Sequence, residues 1–149
     1  MDYQFLEDFK KLSVKCPPES YKPKSMQVFR WVFDDMADDR NFKPRYFLVP
    51  RTELEDLEKI PDTKSKDIKK CAMFAISFFD SEQAAKDRFD YFLNKSGKKI
   101  YKRFGTQVAK CDITENDGLN EEPNDIGHFN HHPVKNHDYE NRFTIISKL

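Results

Sequence analysis

A chain of 149 residues is long enough to bury a core without disulfide support. Lys plus Arg balance Asp plus Glu at 26 each, so no overall field selects nucleic acid, a membrane surface or an acidic substrate. No apolar run approaches the roughly 20 residues of a membrane helix, and the start MDYQFLEDFKK lacks the basic and apolar regions of a signal peptide.

Charge is nevertheless segregated, with a net +1 over residues 1–50, +4 over 51–110 and −5 over 111–149. Fourteen Phe, six Tyr and one Trp supply the burial that so charged a chain needs. Cys16, Cys71 and Cys111 are widely spaced and odd in number, which argues against a disulfide framework and against a Cys-x-x-Cys site. Each reads as a small, semi-buried apolar residue, and a reducing cytoplasm is the expected setting.

In chain order, Phe5, Leu6, Phe9 and Leu12 share a helical face and predict a helix over 2–12. CPPES and the following Lys-Pro break it into a loop at about 15–24. Ser25 reads as an N-cap, and Val28, Phe29, Val32, Phe33 and Met36 predict a second helix. RYFLVP, 45–50, reads as a short strand closed by Pro50. TELEDLEKI predicts a short helix, with a mobile loop after it.

CAMFAISFF, 71–79, is apolar enough for a central strand. Asp80 or Ser81 then caps a helix with Ala85, Phe89, Phe92 and Leu93 on one face, which Gly97 stops. KKIYKRFG predicts one or two more helical turns, and TQVAKCDI a strand. An acidic loop follows, with a turn at Asp117-Gly118, and GHFNHH and RFTIIS close the chain as two strands. This order predicts a single α+β domain over 1–149, with helices packed on one face of a mainly antiparallel sheet of about four to five strands.

All four histidines fall in GHFNHHPVKNH, at 128, 131, 132 and 137. Zinc needs three or four converging ligands, whereas strand alternation turns His131 and His132 to opposite faces. Gly127 and Pro133 leave no room for a helix that would bring His128 and His132 together. The expectation is therefore no metal and no cofactor, a largely solvated cluster, and Phe129 packed inward opposite His128, Asn130 and His132.

FDDMADDR holds the DDxxD spacing of magnesium-binding isoprenoid synthases, without their length or second acidic motif. DITENDG starts like a calcium loop but has Asp117 where Gly is needed and Pro123 where Glu is needed. With glycines only at 97, 105, 118 and 127, there is no phosphate-binding Gly-rich loop and no Gly-x-Ser-x-Gly elbow.

Residues 95–110 carry six cations and no acid, interleaved with Tyr101 and Phe104. Lys98, Lys99, Lys102, Arg103 and Tyr101 are the candidate binding residues for phosphates and a stacked base. The six acids of 112–125 offer intramolecular neutralisation.

SFFDSEQAAKDRF, a strand running into a capped helix, resembles the second strand–helix unit of ADP-ribosyl-transferring, NAD-binding domains. The resemblance covers about 13 residues. It implies an early-strand Arg or His, a mid-strand Ser and often a late Glu; Arg45 and Ser77 fit in part, and the last strand has no acid.

Three functional expectations follow. The first is a small cytoplasmic accessory domain acting through a protein partner, away from any membrane, its aromatics serving as anchors. The second is an enzyme, ADP-ribosyl-transferase-like or a metal-assisted hydrolase, with a pocket drawn from His128, His132, Ser77 and Arg45. The third is an anion or nucleic-acid binder using residues 95–110.

Overall fold

The structure, a computed structural model, describes residues 2–149. Its strands are β1 (Met26–Val32), β2 (Ile76–Phe79), β3 (Gln107–Ile113), β4 (Gly118–Asn120), β5 (His128–Pro133) and β6 (Thr144–Lys148). They form one sheet in the order β4-β5-β2-β1-β3-β6, and every neighbouring pair is antiparallel. The helices are α1 (Leu6–Phe9), α2 (Arg51–Glu58), α3 (Thr63–Met73), α4 (Glu82–Ser96), α5 (Ile100–Phe104) and α6 (Tyr139–Arg142). The α+β class holds, with six strands where four to five were expected.

The largest correction is β1. MQVFRWV carries Val28, Phe29, Trp31 and Val32, a run too short for periodicity to separate helix from strand. Pairing decides it: seven residues face β3, from Met26↔Ile113 to Val32↔Gln107, so β1 is a central strand. The stretch expected as a strand at 45–50 instead begins with a 3-10 turn, Arg45–Phe47, started by Pro44. An earlier 3-10 turn, Asp39–Phe42, is capped by Asp38, so the acidic DDxxD spacing lies in turns and not on a helix face.

The expected strand 71–79 is cut in two. Asp62 caps α3 at Ser65 N, and buried Asp67 accepts from Ser13 N and Oγ, holding this helix against the N-terminal loop through Met73. Only Ile76–Phe79 remains for β2. The predicted helix over 2–12 is confined to Leu6–Phe9. The expected Ser81 cap, Gly97 stop and α4 stand as read, with Ser81 Oγ accepting from Ala84 N.

Phe78 and Phe79 are both buried although they point to opposite sides, so the centre of the sheet is covered on both faces and not on one. One face packs Val28, Val32, Ile76, Phe78 and Phe129 beneath Tyr139, Phe143 and Phe42. The other packs Phe29, Phe79 and Val108 beneath Ala85 of α4, with Trp31 donating to the Ala85 carbonyl at 2.8 Å.

Cys16 and Cys71 are joined in a disulfide, while Cys111 is free and buried. Their separation of 55 residues gave no sign of the pairing, and the folding of the N-terminal loop onto α3 creates it. Cysteine spacing therefore does not assign the protein to a reducing compartment. Among the described residues, no helix is long and apolar enough to cross a membrane.

Candidate functional site

The two central strands β1 and β2 are ladder partners at one position, Phe29↔Phe79. Beside that position Arg30 takes over the role of ladder bonds. Its Nη1 donates to the Ser77 carbonyl at 2.7 Å, and its Nε to the Asn41 carbonyl at 2.6 Å. Asn41 is itself locked in place, accepting from Phe33 N and donating to the Asp35 carbonyl. Burial pushes the guanidinium down to about 10, which leaves it charged at neutral pH. Among the described residues Arg30 makes no ion pair, so its charge rests on two carbonyl dipoles.

Arg30 lies in the wall of a narrow pocket of about 170 Å³. A wider cleft of about 790 Å³ adjoins it, and Trp31, Arg45, Ser77, Phe79, Arg103 and Phe104 are among the residues that line both. That size falls in the range of small-molecule sites. Arg88, Lys95 and Lys99 also line the wide cleft, and among the described residues no Asp or Glu lines either compartment. Glu53 bridges Arg45 and, at 3.8 Å, Arg103 outside the lining, which moderates the charge on that side.

The apolar wall is aromatic. Trp31 lies 5.1 Å from Phe79 and 5.3 Å from Phe104 by ring centroids, and Arg88 stacks its guanidinium 4.6 Å from the Phe92 ring.

Ser77 pairs with Asn130 and Phe79 with His128 across the β2–β5 ladder, which brings Ser77, Asn130 and His128 to the same cleft. Burial first, then the charges of Arg88 and Arg30, hold the His128 imidazole below its ordinary value, with Glu121 opposing. Its neutral form can accept or donate one hydrogen bond toward the cleft.

The other histidines were expected to be solvated, and two of them are fully buried. His131 stacks 4.8 Å from Phe78; its Nδ1 donates to Asn120 Oδ1 at 2.5 Å, leaving Nε2 to accept from the Tyr139 hydroxyl at 2.6 Å. His132 lies on the opposite face, as alternation requires, but outside the cleft, against Phe9, Tyr21 and Cys71. His128 and His132 therefore do not share a pocket, and the pairing expected for a metal-assisted hydrolase is not formed.

Of the expected residues, Arg45, Ser77 and His128 meet in the cleft, joined by Lys99 and Arg103 from the basic block. Lys98 and Lys102 are exposed outside its lining, and Tyr101 packs its ring 5.3 Å from Phe89. The acidic turn is structural: Asp117 receives both guanidinium nitrogens of Arg142, at 2.6 and 2.9 Å. Sequence reading missed Arg30 and Arg88, while Asn130 lines the cleft beside His128 on the face alternation gave it. A lone Arg within VFRWV was the available signal, since a charge in an apolar strand requires a reason.

The result is an antiparallel single-sheet α+β protein with a cationic, aromatic-walled cleft at the meeting of its central strands. No family model, no curated protein and no solved structure matches this chain.

Proposed function

We propose that the cleft binds a nucleotide unit, its phosphate drawn to the arginines and its flat base set against the aromatic wall. The observation that carries this reading is Arg30, a half-buried cation without a carboxylate, in the narrow pocket that opens into a cleft whose lining has bases and no acids. A phosphate near Arg30 would supply the missing counter-charge by charge-assisted hydrogen bonds. Trp31, Phe79, Phe92 and Phe104 supply the apolar surface such a ligand also needs.

Trp31 is the chain's one tryptophan and lines the cleft, so its emission reports occupancy directly. Titration with AMP, with ADP-ribose and with a short single-stranded oligonucleotide separates a mononucleotide from a polymer as the natural source. Saturable quenching by at least one, weakened tenfold or more in Arg88→Ala/Arg103→Ala, is the expected result. Inorganic phosphate is expected to bind far more weakly, because it lacks the base. Absence of saturable binding in every arm, by folded protein, would refute the proposal and return the protein-partner reading to first place. The exposed large apolar residues Phe47, Leu48, Ile68, Tyr91 and Ile126 are spread over several elements.

A second reading has one observation in its favour, the gathering of His128, Ser77 and Arg45 around one concavity. It treats the nucleotide as NAD and the domain as an ADP-ribosyl-transferring enzyme. Arg45 sits on a 3-10 turn instead of an early strand, and no carboxylate lines the cleft, so binding ranks above catalysis. Release of nicotinamide from NAD, abolished in His128→Ala, would reverse that ranking.

A further inference from the structure

At the C-terminal end of α3, Cys71 meets Cys16 of the N-terminal loop and His132 of β5. The two sulfurs and one imidazole nitrogen all lie within 4.8 Å of one another. His132 is fully buried, with Nε2 aimed at Cys71 Sγ at 3.8 Å. Its Nδ1 is also buried and has no hydrogen-bond partner. Rings close around it, Phe9 edge-on at 5.3 Å and Tyr21 at 5.7 Å. A fully buried imidazole whose one polar contact is a sulfur departs from the usual satisfaction of buried polar groups. His131, its neighbour, shows the ordinary solution, with both nitrogens bonded. His137 Nδ1 is also buried without a partner, but only His132 combines such a nitrogen with a second one set against cysteine sulfur.

We propose that reduction of Cys16–Cys71 converts this cluster into a binding site for one zinc ion, held by the two thiolates and His132 Nε2. Thiolate and imidazole are the ligand types zinc prefers, at about 2.3 Å and about 2.0 Å. A tetrahedral site built on those bonds has ligand–ligand edges of roughly 3.5–3.8 Å. The Cys71–His132 edge is 3.8 Å, so it needs to close by only a few tenths of an ångström to reach the roughly 3.5 Å of a sulfur–nitrogen edge. Reduction frees the Cys16 sulfur to move to its own edge position, on a loop residue that is half-buried and so reachable by a reductant. Among the described residues no other Cys, His, Asp or Glu joins the cluster. Three protein ligands therefore leave a fourth position for water, from the side of the loop.

The chemistry balances. A phosphine reductant takes one oxygen from water to become its oxide, and the disulfide gains two electrons and two protons to become two thiols. Zinc then displaces both thiol protons and leaves a neutral bis-thiolate site. Disulfide and metal are mutually exclusive, since both use the same sulfur electrons. The disulfide ties the N-terminal loop to α3, and the metal would tie it to α3 and β5. The link to the core thus survives a change of redox environment. This inference uses none of the cleft residues and stands apart from the nucleotide reading.

The test uses untagged full-length chain with cobalt(II) as a spectroscopic stand-in for zinc. Oxidised protein is expected to bind none. Protein reduced with a phosphine is expected to take up one equivalent, with the near-ultraviolet thiolate-to-cobalt band and the visible bands of a tetrahedral ion, all bleached by one equivalent of zinc. Cys16→Ser and His132→Ala should each lose the one-equivalent uptake, while His128→Ala should retain it. Because His132 is buried and its variant could unfold, alkylation of the reduced wild-type thiols provides a second route and should block uptake without any substitution. Reduced protein that takes up no cobalt, equal uptake by oxidised protein, or a thiolate band that persists in Cys16→Ser or after alkylation overturns the proposal.

Discussion

Arg30 is half-buried and His131 and His132 are fully buried, and the arginine and the histidines meet the cost of burial differently. Arg30 keeps its charge by donating to two backbone carbonyls. His131 and His132 give up theirs. Burial pushes His131 down to about 3 and His132 down to about 4, so both are neutral in the folded protein at neutral pH. In the unfolded chain each would protonate near pH 6.5. The folded values are depressed, so the unfolded state binds more protons as pH falls below about 6.5, and the fold loses stability there. Each histidine contributes a loss of about 1.4 kcal/mol per pH unit down to its own folded value. Urea denaturation at pH 7 and at pH 5.5 should therefore differ by about 2 kcal/mol, with the folded state weaker at the lower pH. Equal stability at the two values would mean that the rings are solvated or already charged.

In α4 and α5, local signals and tertiary packing agree. Ser81 caps, Gly97 stops, and Ala85 and Phe89 face the sheet. The basic block at their junction leaves Lys98, Lys99 and Lys102 exposed. Replacing all three with Ala should leave the melting temperature within a few degrees, the scale of about 1 kcal/mol. Calorimetry gives the check, and a much larger loss would mean that the lysine stems cover core. The same variant should weaken nucleotide binding only to the extent that Lys99 contributes, because Lys98 and Lys102 lie outside the cleft lining. Other elements are set by their neighbours. VFRWV suits a helix stripe and a strand equally well over so few residues, and β3 decides for the strand.

Across the molecule, the disulfide closes a 55-residue separation that contains β1, α2 and most of α3. A cross-link over such a loop removes unfolded-chain entropy worth about 4 kcal/mol on the loop-closure estimate. With metal chelated, reduction by a phosphine should lower the melting temperature by roughly ten degrees, given about 2–4 degrees per kcal/mol for a domain of this size. A scan showing no change would mean that the N-terminal loop is held by its other contacts, including Asp67 with Ser13.

The α+β class, the capped helix over 82–96, and the strands at 107–113 and 128–133 were legible from the chain alone, because their signals are local: a cap, a stop, an alternation. Alternation also determined which histidines share a face. What it left open was depth, since burial depends on what covers a strand, and the covering groups lie far off in sequence. Tyr139 and Asn120 satisfy His131, and Phe9, Tyr21 and Cys71 enclose His132. The cleft is a tertiary product in the same sense. Arg30, Ser77, Arg88, Arg103 and His128 come from five elements that share no sequence pattern, and they meet because β1 and β2 pair at a single position. Cysteine spacing argued against a disulfide for the same reason: loop closure over 55 residues is decided by the packing that brings its ends together.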